Sequence, residues 1–124
     1  MARKKTILIV DDDIAHRTML RILLEWEYEI FEADDGLTAV QCVQTQLFDI
    51  VLMDVRMIDM SGLEALERIK TIHPSLPVIM LTAYSATETV AEAFDKGAYD
   101  YLTKPFDLDE LKQTIEKACA HDHP

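Results

Sequence analysis

Positive charge is scarce in this chain: 12 lysines and arginines stand against 23 aspartates and glutamates, for a net charge of −11. A nucleic-acid binder needs a basic face, and an anionic membrane attracts one. Neither partner is therefore expected for the domain itself. Long apolar runs are also missing. Runs such as residues 7–10 and 50–53 fall far short of the roughly 20 residues that a membrane-spanning helix requires. Arg3, Lys4 and Lys5 resemble the start of a secretory signal, but the apolar stretch behind them stops at Asp11, too soon for such a signal. A cytoplasmic location is the expectation. Cysteine is limited to Cys42 and Cys119, both in helical patterns and without metal or redox spacing. Two reduced, half-buried thiols are expected. No linker rich in proline, glycine or serine divides the sequence, and no repeat does.

The 124 residues suit one domain, with 49% hydrophobic and 28% charged residues. Residues 1–124 are read as a single domain, in which 1–5 form a basic lead-in and 121–124 (HDHP) the start of a linker. The two histidines of that tail are read as solvated rather than as metal ligands. A chain ending there is expected to be the N-terminal piece of a longer protein.

Five short apolar runs punctuate the chain: residues 6–10 (TILIV), 29–33 (EIFEA), 49–53 (DIVLM), 77–81 (PVIML) and 99–102 (YDYL). Continuous runs without alternation suit strands buried on both faces, as in a parallel sheet. The intervening segments have helical spacing. Residues 14–26 place Leu20, Leu23 and Leu24 on one face behind an Asp13 cap. Residues 37–46 align Leu37, Val40 and Val43, with Leu47 beyond. Residues 63–72 align Leu63, Leu66, Ile69 and Ile72, and stop at His73-Pro74. Residues 85–96 turn Val90 and Phe94 toward the core and end at Gly97, which leaves a small, mildly polar outer surface. Residues 108–119 align Leu111, Ile115 and Cys119 behind an Asp107 cap. Five alternations of strand and helix predict an α/β sandwich, a parallel sheet with helices on both faces.

In such a sheet, ligands bind at the carboxyl ends of the strands. There the sequence places Asp11, Asp12 and Asp13 after the first strand, and Asp34 and Asp35 after the second. Asp54 to Met57 follow the third strand. Thr82, Ala83 and Tyr84 follow the fourth, and Thr103, Lys104 and Pro105 the fifth. Clustered carboxylates raise one another's pKa unless a cation offsets them. Oxygen ligands select a hard cation, Mg2+ or Mn2+, whose shell is commonly completed by water and phosphate. Lys104 and Thr82 supply what a phosphoryl group needs opposite the metal, a point charge and a hydrogen-bond donor.

These residues resemble the receiver domains of two-component response regulators. The motifs are ILIVDDD at 7–13, DIVLMDVRM at 49–57, SGLE at 61–64, PVIMLTAY at 77–84 and GAYDYLTKPF at 97–106. The resemblance covers about residues 6–120. Within the family, LTAY and GAYDYLTKPFDLDEL are most similar to receivers of NtrC-type sigma-54-dependent activators. The chain departs from the pattern at Ile58, where a proline usually follows the methionine, and at Ser61, where Asp or Asn is common.

The resemblance implies a doubly wound, flavodoxin-like (βα)5 sheet of strand order 2-1-3-4-5. It implies Mg2+ on Asp11, Asp12, Asp54 and the Arg56 backbone carbonyl, and phosphorylation of Asp54 by a sensor histidine kinase. It also implies a switch through Thr82 and Tyr101 that acts on the last two helices and the fifth strand. The output would be transcription regulation, with phosphate favouring a homodimer. Such a domain catalyses only its own phosphotransfer and slow dephosphorylation. Arg56 and Tyr84, two residues beyond Asp54 and Thr82, are expected to overhang the phosphoryl group and tune its lifetime. The rival readings are a small haloacid-dehalogenase-type phosphohydrolase, suggested by Asp11-x-Asp13, and a degenerate receiver that works without phosphate. The first leaves Asp54 unexplained, and the intact Asp54, Thr82 and Lys104 weigh against the second.

Overall fold

The computed structural model describes residues 3–120; the first two residues of the lead-in and the 121–124 tail lie outside the described residues. Five strands alternate with five helices in chain order. The strands are β1 (Lys5–Val10), β2 (Tyr28–Ala33), β3 (Ile50–Met53), β4 (Val78–Thr82) and β5 (Asp100–Thr103). The helices are α1 (Ile14–Leu24), α2 (Gly36–Thr45), α3 (Gly62–Ile72), α4 (Thr87–Asp95) and α5 (Leu108–Ala120). Every strand pair is parallel and the order is β2-β1-β3-β4-β5, the doubly wound sheet expected. This order reverses direction between β1 and β3, and ligand crevices form at such switch points.

The apolar runs are continuous because alternate strand residues serve opposite faces. Leu8, Val10, Val51, Met53, Val78 and Met80 pack on one side with Val40 and Val43 of α2 and Leu66 and Ile69 of α3. Ile7, Ile9, Ile50, Leu52, Ile79 and Leu81 pack on the other with Leu20 and Leu24 of α1 and Leu111 and Ile115 of α5. Burying each such side chain contributes roughly 1.5–3 kcal/mol before the entropy of ordering it is counted. Both cysteines are free thiols.

Helix starts follow from side-chain caps. Asp13 Oδ1 accepts from the Ala15 N–H at 2.9 Å, and Ser61 Oγ from Leu63 at 3.1 Å. Asp107 Oδ1 accepts from Glu110 at 3.1 Å. Asp35 accepts from the Thr38 N–H at 2.7 Å, and its hydrogen bonds with Thr38 hold its carboxyl below the usual range. Gly97, just past α4, has φ +103°, a conformation that side chains with a Cβ rarely adopt.

Two helix faces differ from the sequence reading. On α2, Val40 and Val43 are buried together with Ala39, whereas Leu37 is 45% exposed; Leu47, past the helix end, is 79% exposed. On α4 the buried residue is Ala93, while Val90 is half-buried and Phe94 lies 46% exposed. A small residue at the core seat lets the helix sit close to the sheet. Successive helical residues are about 100° apart, so seating Ala93 turns Phe94 outward. The outer surface of α4 therefore carries a phenyl ring.

Candidate functional site

Register brings the chemistry together. Val10 pairs with Met53, Met53 with Met80, and Thr82 with Thr103. The backbone ladder continues one residue past the strands. The Asp54 N–H donates to the Val10 carbonyl at 3.0 Å, and the Lys104 N–H donates to the Thr82 carbonyl at 2.8 Å. Asp11, Asp54, Thr82 and Lys104 thus stand along one edge of the sheet.

At its centre is the Lys104 ammonium. Its Nζ lies 2.8 Å from Asp11 Oδ2, 3.0 Å from His16 Nδ1 and 3.5 Å from Asp54 Oδ2. All three charged side chains are largely buried: Asp11 is 4% exposed, Lys104 12% and Asp54 14%. Charges so far from water persist only when paired, so none of the three can be removed without stranding another.

Asp11 is fixed from several directions. Its Oδ1 accepts from the Asp13 N–H at 2.9 Å, and its carbonyl accepts from Arg17 Nη1 at 2.6 Å. Arg17 is in turn paired with Glu32 at 2.9 Å, which also accepts from Arg21 at 2.7 Å. Burial alone would raise the Glu32 carboxyl, but the two arginines outweigh it and hold its pKa low.

Asp54 is positioned by its own loop. Its Oδ1 accepts from the Arg56 N–H at 3.3 Å, which turns the Arg56 backbone toward the carboxylate. The Gly62 N–H donates to the Val55 carbonyl at 2.7 Å. A Cβ on Gly62 would lie 2.0 Å from the Asp54 carbonyl oxygen, so only glycine lets α3 start there. The Arg56 guanidinium covers the Tyr84 ring at 4.1 Å from its centroid.

Thr82 is buried, and its Oγ1 accepts from the Tyr84 N–H at 3.2 Å. The Tyr84 carbonyl accepts from the Tyr101 hydroxyl. Tyr101 is half-buried against the core, and burial first, then the negative charge of Asp54, pushes its pKa up. A chain of contacts therefore runs from Thr82 through the Tyr84 backbone to Tyr101.

Of the residues singled out in the sequence, Asp11, Asp54 and Lys104 meet directly, and Arg56 and Tyr84 meet each other. Thr82 and Tyr101 are joined through Tyr84. Asp12 is exposed. Among the described residues, no group of three or more histidine, cysteine, aspartate or glutamate side chains is gathered to hold a metal ion. Lys104 already holds Asp11 and Asp54. The donors of this edge are nevertheless oxygens of the kind Mg2+ takes, and Mg2+ keeps several waters. The residues fit that ion in kind, provided Lys104 releases Asp11.

Two residues were missed. His16 lies five residues past Asp11 and three past the Asp13 cap, so the first turn of α1 carries it to the acidic edge. Its spacing from Asp13 was the available signal. Gly62 was read only as part of a motif.

Comparison with known proteins agrees with this architecture. The response regulator receiver domain family matches residues 7–116. The chain is 51% identical over 118 residues to the transcriptional regulatory protein ZraR of Escherichia coli (strain K12), covering 94% of this chain and 27% of that protein. It is 42% identical over 123 residues to the DNA-binding transcriptional regulator NtrC of Proteus hauseri, covering 96% and 25%. The chain thus spans about a quarter of the length of these relatives. Among solved structures, a CheY-like response regulator receiver domain from Methanospirillum hungatei superposes with TM-score 0.92 at 31% identity, covering 95% of each chain. The beryllofluoride-activated NtrC4 receiver domain dimer gives 0.87 at 31% identity, covering 93% of this chain and 96% of that one. Relatives of the NtrC type are thus among the matches, as the sequence suggested. The chain belongs to the response regulator receiver domain family.

Proposed function

We propose that this chain is a phosphoacceptor whose nucleophile is Asp54 and whose donor is the phosphohistidine of a sensor kinase. The observation that carries the reading is the Lys104 ammonium shared by Asp11 and Asp54 at the carboxyl edge of the sheet. A carboxylate is already ionised and needs no general base. An Asp54 oxygen attacks phosphorus, the donor's P–N bond breaks, and the imidazole nitrogen leaves with the electron pair. The product is an acyl phosphate. Lys104 and the Thr82 hydroxyl serve the phosphoryl oxygens by charge and hydrogen bonding. Asp11, Asp12, Asp54 and the Arg56 carbonyl would hold Mg2+ (or Mn2+), which when bound offsets the charge on the phosphoryl oxygens. Attack of water at phosphorus later restores Asp54.

The readout follows the chain of contacts described above. When the Thr82 hydroxyl turns to a phosphoryl oxygen, its bond from the Tyr84 N–H is lost, and the Tyr84 backbone is what Tyr101 holds. Phosphate thereby biases the α4, β5 and α5 surface between two states. By analogy with the transcriptional regulators it matches, that surface controls an output that regulates transcription, in the cytoplasm. No helix among the described residues is long and apolar enough to cross a membrane. The NtrC4 neighbour is a dimer when activated by beryllofluoride, which supports a phosphate-favoured homodimer here.

The test is labelling by acetyl phosphate with Mg2+. The unaltered chain should take up one alkali-labile phosphoryl group and Asp54→Asn none. Labelling of the variant at an undiminished rate would overturn the assignment. Absence of label in both would leave a receiver that works without phosphate.

A further inference from the structure

We propose that His16 is a positioning residue: in the unphosphorylated protein it accepts from the Lys104 ammonium beside Asp11 and so restrains the turn of that ammonium to an incoming phosphoryl group. The inference rests on the reading of Asp54 as the phosphoacceptor and deepens it.

Three acceptors surround the ammonium, which has three N–H donors. Lys104 Nζ is 2.8 Å from Asp11 Oδ2 and 3.0 Å from His16 Nδ1, both within hydrogen-bonding distance. Asp54 Oδ2, at 3.5 Å, is within ionic reach only. An ammonium can only donate, so the nitrogen facing it must offer a lone pair. His16 Nδ1 is the acceptor in this contact. The carboxylate oxygens of Asp11 and Asp13 also face His16 Nδ1, each at 3.5 Å, longer than the contact with Lys104. Lys104 is only 12% exposed, so water does little to compensate a lost acceptor.

Phosphoryl acceptance changes what the ammonium prefers. When an Asp54 oxygen bonds to phosphorus and the donor's leaving group departs with its electron pair, the incoming phosphoryl oxygens carry negative charge beside Lys104. An anionic oxygen is a stronger acceptor than a neutral imidazole nitrogen. Lys104 then leaves His16 for the phosphoryl group. The contact with His16 is present before transfer and absent after it. Its removal should therefore lower the barrier to acceptance and leave hydrolysis, which starts from the phosphorylated state, unaffected. A merely structural contact would move both rates or neither.

The experiment compares the unaltered protein with His16→Leu and His16→Asn. Leucine removes the acceptor, whereas the asparagine side-chain oxygen can occupy the place of Nδ1. His16 is 42% exposed on α1, so both variants should fold, and thermal melts will verify it. Acetyl phosphate with Mg2+ is the donor, acetate leaves, and intact mass follows uptake at Asp54. Loss of label from purified phosphoprotein gives the hydrolysis rate. Uptake should be about three- to tenfold faster in His16→Leu and return toward the unaltered rate in His16→Asn, with hydrolysis within about twofold in all three. Unchanged or slower uptake in His16→Leu, or uptake and hydrolysis rising together, would overturn the inference. Nitrogen NMR of the unaltered protein supplies a second readout. The His16 Nδ1 resonance should shift when beryllofluoride draws Lys104 away, and a resonance that stays in place would contradict the account. If the unaltered chain takes no label at Asp54, the phosphoacceptor reading itself fails. If it labels there and His16→Leu is no faster, only the role of His16 fails.

Discussion

The Arg56 guanidinium stacks over the Tyr84 ring, 4.1 Å from its centroid, so the residues two beyond Asp54 and two beyond Thr82 close on each other. A cation over an aromatic face contributes roughly 0.5–1 kcal/mol at an exposed site. We propose that the pair covers the approach to Asp54. Hydrolysis of an acyl phosphate needs a water in line behind phosphorus, and a stacked pair restricts where it can stand. Trimming both residues, Arg56→Ala with Tyr84→Ala, should speed loss of label several-fold, on the order of 1 kcal/mol in barrier. The measurement is decay of purified phosphoprotein in excess Mg2+. An unchanged rate would place control of the lifetime elsewhere.

Gly62 should tolerate no side chain. Its Cβ would lie 2.0 Å from the Asp54 carbonyl oxygen and 2.9 Å from Val55 Cα, both backbone atoms. Gly62→Ala must therefore push α3 away from the loop after Asp54. The expected cost is about 2–3 kcal/mol of stability, read by urea denaturation, with slower labelling of Asp54. Stability equal to the unaltered chain would show that the loop yields freely.

Divalent metal should bind weakly and stabilise the fold by mass action. The carboxylates of Asp11, Asp12 and Asp54 are the expected ligands, and Lys104 is their competitor in the metal-free state. Added Mg2+ should raise the melting temperature, and Asp12→Ala should abolish the rise. Asp12 suits this test because it is exposed, so its removal strands no buried charge. An equal rise in the variant would mean that the metal sits elsewhere.

Phe94 should matter for self-association. It is 46% exposed on α4, where the sequence suggested only small, mildly polar groups. An exposed ring suits a modest, regulated interface. Sedimentation at tens of micromolar protein should show beryllofluoride shifting the chain toward dimer, and Phe94→Ser should weaken that shift. A variant that dimerises like the unaltered chain would remove this face from the interface.

Much of this architecture was legible in the sequence because parallel strands buried on both faces leave unbroken apolar runs. All five runs became strands, with ends shifted by a residue or so: the run at 77–81 became Val78–Thr82, taking Thr82 into the ladder. Caps at Asp13 and Asp107 were legible because short side chains at helix starts have few other uses. The faces of α2 and α4 were not. Reading them by the largest apolar residues fails where a small one, Ala39 or Ala93, takes the core seat. Asp11, Asp54 and Lys104 could be brought together from topology alone. The spacing of His16 from Asp13 puts it near this edge, but its contact with Lys104 could not be read, because it depends on which way the first turn of α1 points a ring. The constraint on Gly62 was equally hidden, since it comes from a backbone approach between segments rather than from any side chain.

The most direct test of the central claim is chemical mapping of the phosphorylated residue. Borohydride reduces an aspartyl phosphate to homoserine, which marks the site permanently. The protein is labelled with acetyl phosphate and Mg2+, reduced, digested and sequenced by mass spectrometry. Homoserine at position 54 alone, lost in Asp54→Asn, is the predicted result. Homoserine at position 11, the nucleophile a dehalogenase-type phosphohydrolase would use, or at no aspartate at all, would contradict the account.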